Sequence, residues 1–221
     1  GDSQKTINKA TLSGGVRYDN RSLDSDAFYE GADQKFQEFS KSFNNFSGSA
    51  GVSYIVTDNF LFKMNIAKGF RSPSIPELAS NGSHEGTNRY EYGDQQLKSE
   101  TSWQGDAGIE LSSDHVYFTA NAFYNHIDNF IFYSKLAGRN GSDSLVNVSG
   151  DLVPAFKFAQ HTANLYGAEM MLDIHPHPLD WLHWENAFSY VRARFADPIG
   201  GSSNVPFVPA TKWRTELRAE L

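Results

Sequence analysis

Cysteine is absent from the 221-residue chain. A disulfide framework, thiolate-ligated zinc and a thiol nucleophile are therefore excluded. The redox compartment stays open, because a chain without thiols suits either kind. Long apolar runs are missing too. No stretch reaches the roughly 18 residues of a membrane-spanning helix. No basic segment followed by an apolar run opens the chain, so no signal peptide is expected. Gly1 before Asp2-Ser3-Gln4 reads as an expression scar or a cut made inside a larger protein. Basic residues are in the minority: 19 Lys and Arg face 26 Asp and Glu, for a formal net charge of −7. That speaks against nucleic acid as a partner, since such binding needs a basic face to displace counterions. Phosphate loops, G-x-S-x-G and H-E-x-x-H are all lacking. The expectation is no enzyme, no catalytic residue and no cofactor.

What is present is aromatic and glycine-rich. Phe contributes 17 residues, Tyr 10 and Gly 18, yet mean hydropathy is −0.49. A polar average with many aromatics suits a β-protein with one apolar face. A transmembrane barrel shares this signature, because lipid-facing and lumen-facing side chains alternate and hydropathy averages out.

Period 2 dominates the chain. Phe46, Gly48, Ala50, Val52, Tyr54 and Val56 alternate with Ser47, Ser49, Gly51 and Ser53, with Ile55 as the exception. Across Thr57-Asp58-Asn59 the pattern resumes at Phe60, Phe62, Met64 and Ile66, which reads as a hairpin. Trp103 to Leu111, Val116 to Tyr124, Ala168 to Ile174 and Leu182 to Tyr190 repeat it, with Asn186 breaking the last apolar face. The pattern predicts eight strands, roughly 10–22, 43–56, 60–71, 99–112, 115–133, 158–175, 180–195 and 209–221. No segment combines a 3.6 period with caps, so no helix is expected.

The connections are informative. Short ones at 57–59, 112–114 and 175–180 alternate with long ones at about 20–42, 72–98, 134–157 and 196–208. A soluble sheet protein has no reason to gather its long loops on one edge. An outer-membrane barrel does, with short periplasmic turns and long external loops. Such large loops would overload an eight-strand barrel, whose interior is only wide enough for side chains. The last strand also stops mid-pattern at Leu221. The predicted fold is all-β: an antiparallel meander of about eight strands, with residues 1–221 a single segment of a larger, roughly 22-stranded barrel.

At residues 70–110 the text becomes recognisable. Phe70-Arg71-Ser72-Pro73-Ser74-Ile75-Pro76-Glu77-Leu78 resembles the F-R-[AS]-P-S-x-x-E-L segment of TonB-dependent outer-membrane receptors. Gly93-Asp94-Gln95-Gln96-Leu97-Lys98-Ser99-Glu100-Thr101 is similar to their G-[ND]-x-x-L-K-P-E-x segment, with Ser99 where the family usually has Pro. Tyr166-Gly167-Ala168-Glu169 resembles their Y-G-x-E strand, and Val208-Pro209-Ala210 a Pro-marked strand start. The four segments keep the family's order. The family-motif positions are Arg71, Pro73, Glu77, Gly93, Glu100, Gly167 and Glu169. The resemblance implies a bacterial outer-membrane barrel, with its long loops outside the cell and lipid around it. It also implies a plug domain, absent from this chain, and energy from the TonB complex. The cargo would be a scarce nutrient such as zinc, copper, haem or a ferric siderophore. Residues 78–94 look nearest to the zinc- and copper-uptake receptors, which raises a metal ion or metal complex as ligand.

His84 and Glu85 in the long 72–98 connection, with His126 and His161 near the tops of their strands, are the candidate metal ligands. Against that stands a plain solvated loop. Pro73 and Pro76 would end strand pairing, and Arg71 and Glu77 would pair with each other inside the lumen. Arg214 and Arg218 are candidate partners for Glu100, Glu110 and Glu169. His175-Pro176-His177 reads as a tight turn rather than a capture site. Two rivals remain: a self-contained eight-stranded barrel enzyme acting on lipid, and a soluble β-sandwich binding module. A sheet fragment with open edges is expected to self-associate through them.

Overall fold

The computed structural model describes residues 1–83, 87–138, 140–179 and 181–219, without the side chain of Asp33. The elements in chain order are β1 (Asp2–Ile7), β2 (Ala10–Ser25), β3 (Phe28–Glu30), β4 (Asp33–Phe36), β5 (Phe39–Thr57) and β6 (Phe60–Arg71). Then come α1 (Ile75–Ala79), β7 (Asn81–Ser83), β8 (Tyr90–Tyr92), β9 (Glu100–Ser112), β10 (Val116–Lys135) and β11 (Leu145–Val148). The last are β12 (Asp151–Ile174), β13 (Leu182–Ile199), β14 (Ser202–Asn204) and β15 (Lys212–Ala219). The wall is an antiparallel meander, β1-β2-β5-β6-β9-β10-β12-β13, with β15 paired to β13. All eight expected strands are in it. No pairing joins β1 to β15 among the described residues, so the sheet is open.

The register explains why period 2 reads so clearly. Directly paired residues point to the same face, and neighbours along a strand to opposite faces. One continuous row runs Leu12–Val52–Met64–Ala107–Ala122–Ala168–Tyr190. A row on the other face runs Lys63–Gly108–Asn121–Glu169–Ser189–Lys212. Every strand's apolar set therefore falls on one surface, and no second sheet covers it. The two-stranded β3–β4 ribbon is the only other sheet among the described residues. Val16, Phe46, Trp103, Trp213 and Leu217 on that surface are each half or more exposed. A contiguous apolar face of this size needs an apolar neighbour. The soluble-sandwich reading fails here, because nothing dry lies between two layers.

Aromatics mark the margins of that surface. Tyr18, Phe46, Trp103 and Tyr124 lie toward the long connections, and Tyr54, Phe62, Phe118 and Trp184 toward the short turns. Ala50, Ala107, Ala122 and Ala168 fill the middle. Phe46 and Tyr54 lie eight residues apart in β5, about 27 Å along a strand. A tilt near 40° reduces this to a height of about 21 Å, close to the roughly 25 Å apolar band of outer-membrane barrels.

Three expectations change. The strands run on past the apolar band: β2 reaches Ser25, β5 starts at Phe39 and β12 at Asp151. Much of the supposed loop is strand, because backbone pairing continues where the side chains no longer alternate apolar with polar. Residues 2–7 add a ninth wall strand, β1. A helix also exists. Ser74 caps α1, accepting from the Glu77 N–H, while the Glu77 carboxylate accepts from the Ser74 N–H. This capping box with an early Pro is a sequence signal in its own right. The five-residue helix was too short to show a period. One pairing departs from the antiparallel rule: β8 lies parallel to β12, Tyr90 beside Ala155.

Candidate functional site

β6 ends at Arg71 and β9 begins at Glu100, while their outer neighbours β5 and β10 continue beyond them. The gap so left between β5 and β10 is filled by the segment joining β6 to β9. Its centre is a three-residue clamp. Arg71 donates from Nε and Nη2 to the two Glu100 oxygens at 2.7 and 2.8 Å, and from Nη1 to both Glu77 oxygens at 2.9 Å. Planar guanidinium can serve two carboxylates at once, which an ammonium cannot. Glu100 Oε1 also accepts the Ile131 N–H at 2.6 Å, satisfying β10 where it loses its β9 partner. Glu77 Oε2 accepts the Ser74 N–H at 2.8 Å. The clamp thus ties β6, α1, β9 and β10 together.

The other motif positions have equally local reasons. Pro73 is fully buried beside the clamp. Gly93 lies against the end of α1, where a Cβ would meet Ala79 N at 2.6 Å and Leu78 C at 2.6 Å. At Gly167 a Cβ would meet Tyr190 O at 2.4 Å and the Phe123 ring at 2.7 Å. Glu169 is exposed on the polar face, opposite Asn121 and Ser189. The expected partners of the acidic groups are corrected. Glu110 pairs with Lys63 at 2.9 Å and Glu100 with Arg71, whereas Arg218 reaches Glu185 and Arg214 reaches Glu216. Pairing follows strand adjacency: Lys63 and Glu110 lie on adjoining strands, and Arg218 on β15 cannot reach across to β9.

Two buried clusters hold this end. Leu78 and Leu97 pack with Leu23 and Ile131, flanked by Phe39, Phe43 and Phe158. Ala163, Ala193, Phe195 and Val205 form the second. Asp94, within the Gly93–Thr101 motif, fastens the segment to the wall. Its carboxylate accepts the Gln96 N–H at 2.8 Å and pairs with Lys157 of β12 at 2.9 Å. Burial by itself would raise its pKa. The Gln96 N–H and the Lys157 ammonium outweigh this and hold it below the ordinary aspartate value. Arg89 was missed in the sequence reading. Its guanidinium lies 4.1 Å from the Tyr133 ring centre and 2.5 Å from buried Glu91. An isolated Arg-x-Glu has no sequence signature. A cleft of about 320 Å³ lies beside these groups, lined by Phe28, Phe36, Ile75, Asn81 and Glu91 among others.

The candidate metal ligands do not converge. His126 is opposite Asn164, which is three residues from His161 along β12, so the two imidazoles lie on opposite faces. His126 Nδ1 is 2.7 Å from Asn164 Oδ1 and its Nε2 is 3.5 Å from Asp128. His161 lies edge-on to Phe195, with ring centres 5.8 Å apart. A bulge between Ile127 and Phe130 lies beside them, and it leaves the β12 alternation intact. His84 and Glu85 lie outside the described residues.

Comparison with known proteins agrees with this architecture. The family described as "TonB dependent receptor-like, beta-barrel" matches residues 2–218. Among solved structures, a copper transporter, OprC, is similar at TM-score 0.76 and 16% identity, over 97% of this chain and 31% of its own. The Serratia marcescens hemophore receptor HasR, solved with its hemophore HasA and heme, gives TM-score 0.67 at 14% identity, over 96% of this chain and 39% of its own. The Pseudomonas aeruginosa ferric enterobactin receptor PfeA gives 0.53 at 21%, over 84% of this chain and 25% of its own. The chain thus spans between a quarter and two fifths of these neighbours' lengths. Receptors of this kind are transporters, so the barrel-enzyme reading falls. The chain belongs to the TonB-dependent receptor family, as part of its bacterial outer-membrane β-barrel.

Proposed function

We propose that this chain forms part of the wall and outer mouth of a receptor that takes up a metal ion or metal complex. The parent barrel has about 22 strands closed around a plug, and residues 1–221 are one segment of its wall. Uptake is driven through the TonB complex. The long connections face outside, with His84 and Glu85 among the groups that meet the ligand. His126 and His161 do not act together, since they lie on opposite faces. The observation that carries this reading is the Arg71 clamp. It spends a guanidinium and two carboxylates on holding the 72–98 segment at the mouth rather than on a ligand. The cargoes of the similar receptors, copper, heme and ferric enterobactin, support the ligand class.

The test is uptake by whole cells that carry the intact receptor. Accumulation of labelled zinc, copper or iron complexes should fall in cells with the receptor deleted and in a His84→Ala/Glu85→Gln variant. Uptake that survives the deletion would end the ligand proposal. External protease should cut the long connections and spare residues 57–59; the reverse pattern would end the orientation.

A further inference from the structure

Four of the chain's seven histidines gather at the opposite end of the sheet, away from the clamp. His115 directly precedes β10. His175 and His177 lie in the turn between β12 and β13, and His183 lies on β13. Ring centres are 5.1 Å apart for His175 and His183, 6.1 Å for His115 and His175, and 5.8 Å for His115 and His177. A ligand atom from each of Asp173, His175 and His183 lies within 4.8 Å of the other two. The Asp173 carboxylate is 3.1 Å from His183 Nδ1. The fold brings them together by register. Asp173 pairs with Glu185, two residues beyond His183 on the same face, and the His175 N–H donates to the His115 carbonyl at 3.0 Å.

The deciding atom is Nδ1 of His175. Nε2 of that ring lies 2.5 Å from the Asp114 carbonyl oxygen. A carbonyl can only accept, so the proton is on Nε2 and Nδ1 of the neutral ring keeps its lone pair. That Nδ1 is buried and has no hydrogen-bond partner among the described residues. Leaving a buried acceptor unsatisfied is costly, and such groups in native structures call for an explanation. Histidines that ligate metals show this same arrangement: one ring nitrogen donates to a backbone carbonyl and the other binds the ion. Here a carboxylate oxygen of Asp173 and a ring nitrogen of His183 lie within 4.8 Å of a His175 ring nitrogen. Two imidazoles and a carboxylate suit zinc, which accepts three protein ligands and one further donor; all-oxygen ions such as calcium are poorly matched.

We propose that Asp173, His175 and His183 bind a divalent transition-metal ion of the zinc type, bridging β12, the β12–β13 turn and β13. The site lies at the short-turn end, so it is distinct from any ligand capture by the long connections. It locks the rim of the wall and does not depend on the cargo.

The test uses the intact receptor, purified in detergent, stripped with chelator and titrated with Zn²⁺ and Co²⁺. One equivalent should bind with a Co²⁺ absorption typical of four-coordinate imidazole and carboxylate ligation. The His175→Gln/His183→Gln variant should lose that equivalent, with a fall in affinity beyond the roughly 10–100-fold cost of losing a supporting hydrogen bond. Asp173→Asn alone should weaken it and alter the Co²⁺ spectrum. The His84→Ala/Glu85→Gln variant should keep it, which separates this site from the proposed cargo site. Heat-modified gel migration verifies that each variant is folded. The proposal is overturned if the double histidine variant, shown to be folded, binds Zn²⁺ and Co²⁺ as the parent does, or if the parent binds neither.

Discussion

The two ends of this wall are ordered by different means. At the short-turn end, strands return through a few residues, and no buried hydrophobic residue is found there among the described residues. All the buried hydrophobics among the described residues lie toward the other end: Leu23, Leu78, Ala79, Leu97, Ile131, Val153, Ala155, Ala163, Ala193, Phe195 and Val205. The membrane-spanning part draws its apolar contacts from lipid, so its own side chains need not pack on one another. The loop-bearing end stands in water and must build a core. It does so with the α1 segment, two clusters and the Arg71 clamp. Order at the mouth is therefore a packing property of this chain, whereas order in the band is a property of strand pairing and solvent.

The sharpest way to break this contrast is Leu78→Ala. Leu78 is 1% exposed at the centre of the first cluster. Truncation of a buried Leu costs about 3 kcal/mol through lost transfer energy and a residual cavity. The loss should be confined to the loop-bearing end. Hydrogen exchange should speed up at Leu97 and Ile131 and stay unchanged at Ala107 and Ala122. Equal acceleration in the band would show that the two ends unfold as one unit.

Arg71→Ala comes next, at about 2 kcal/mol, because it leaves two carboxylates without their shared partner. Arg71 is itself 45% exposed, which keeps the effect below that of a fully buried pair. Arg71→Lys should recover little of it, since one ammonium cannot form the fork on Glu100 and also hold Glu77. The readout is protease cutting within 72–98 on the folded receptor. A lysine variant as resistant as the parent would reduce the clamp to simple charge neutralisation.

The wall was legible in the sequence because lipid imposes a strict rule on every second residue. Val52, Met64, Ala107, Ala122 and Ala168 could be placed on one face before any coordinates, and the register aligns them in one row. Above the band that rule lapses. Phe39 and Phe43 pack against a helix that no periodicity marked, and β8 arrives beside β12 from a distant part of the chain. Such contacts depend on tertiary geometry. Arg71, Glu77 and Glu100 stood out as motif members, but the clamp requires strand ends β6 and β9 to lie side by side, which spacing alone does not reveal. The histidine group was read as a bare turn for a similar reason: His115 and His183 are far from His175 and His177, or separated from them by a turn, and only the register unites them.

Gly167→Ala turns the comparison around by attacking the wall instead of the mouth. The new methyl would meet the Tyr190 carbonyl at 2.4 Å and the Phe123 ring at 2.7 Å. The ring can rotate away, but the carbonyl belongs to the β13 backbone. Overpacking of this kind costs about 1–3 kcal/mol. It should lower the temperature at which the folded barrel shifts on a gel, while the 72–98 segment keeps its protease resistance.

The smallest effect expected is a pH dependence, and it belongs to the mouth alone. Asp94 has its pKa held below the unfolded value, against the opposing push of burial, by the Gln96 N–H and by Lys157. For an acid whose folded pKa is depressed, the native state binds fewer protons than the unfolded one near that pKa. Its contribution is therefore complete above the unfolded aspartate pKa of about 3.9 and is lost as pH falls through the lower folded value. Asp94 and Lys157 are both partly exposed, so solvent and salt weaken the pair. The 72–98 segment should loosen as acid is added below about pH 4, earlier in high salt. Asp94→Asn should remove part of that slope, because the amide keeps an acceptor for the Gln96 N–H but carries no charge for Lys157. An unchanged acid profile in Asp94→Asn would mean that the segment is held from β12 by packing and the Arg71 clamp, with no electrostatic share from Asp94.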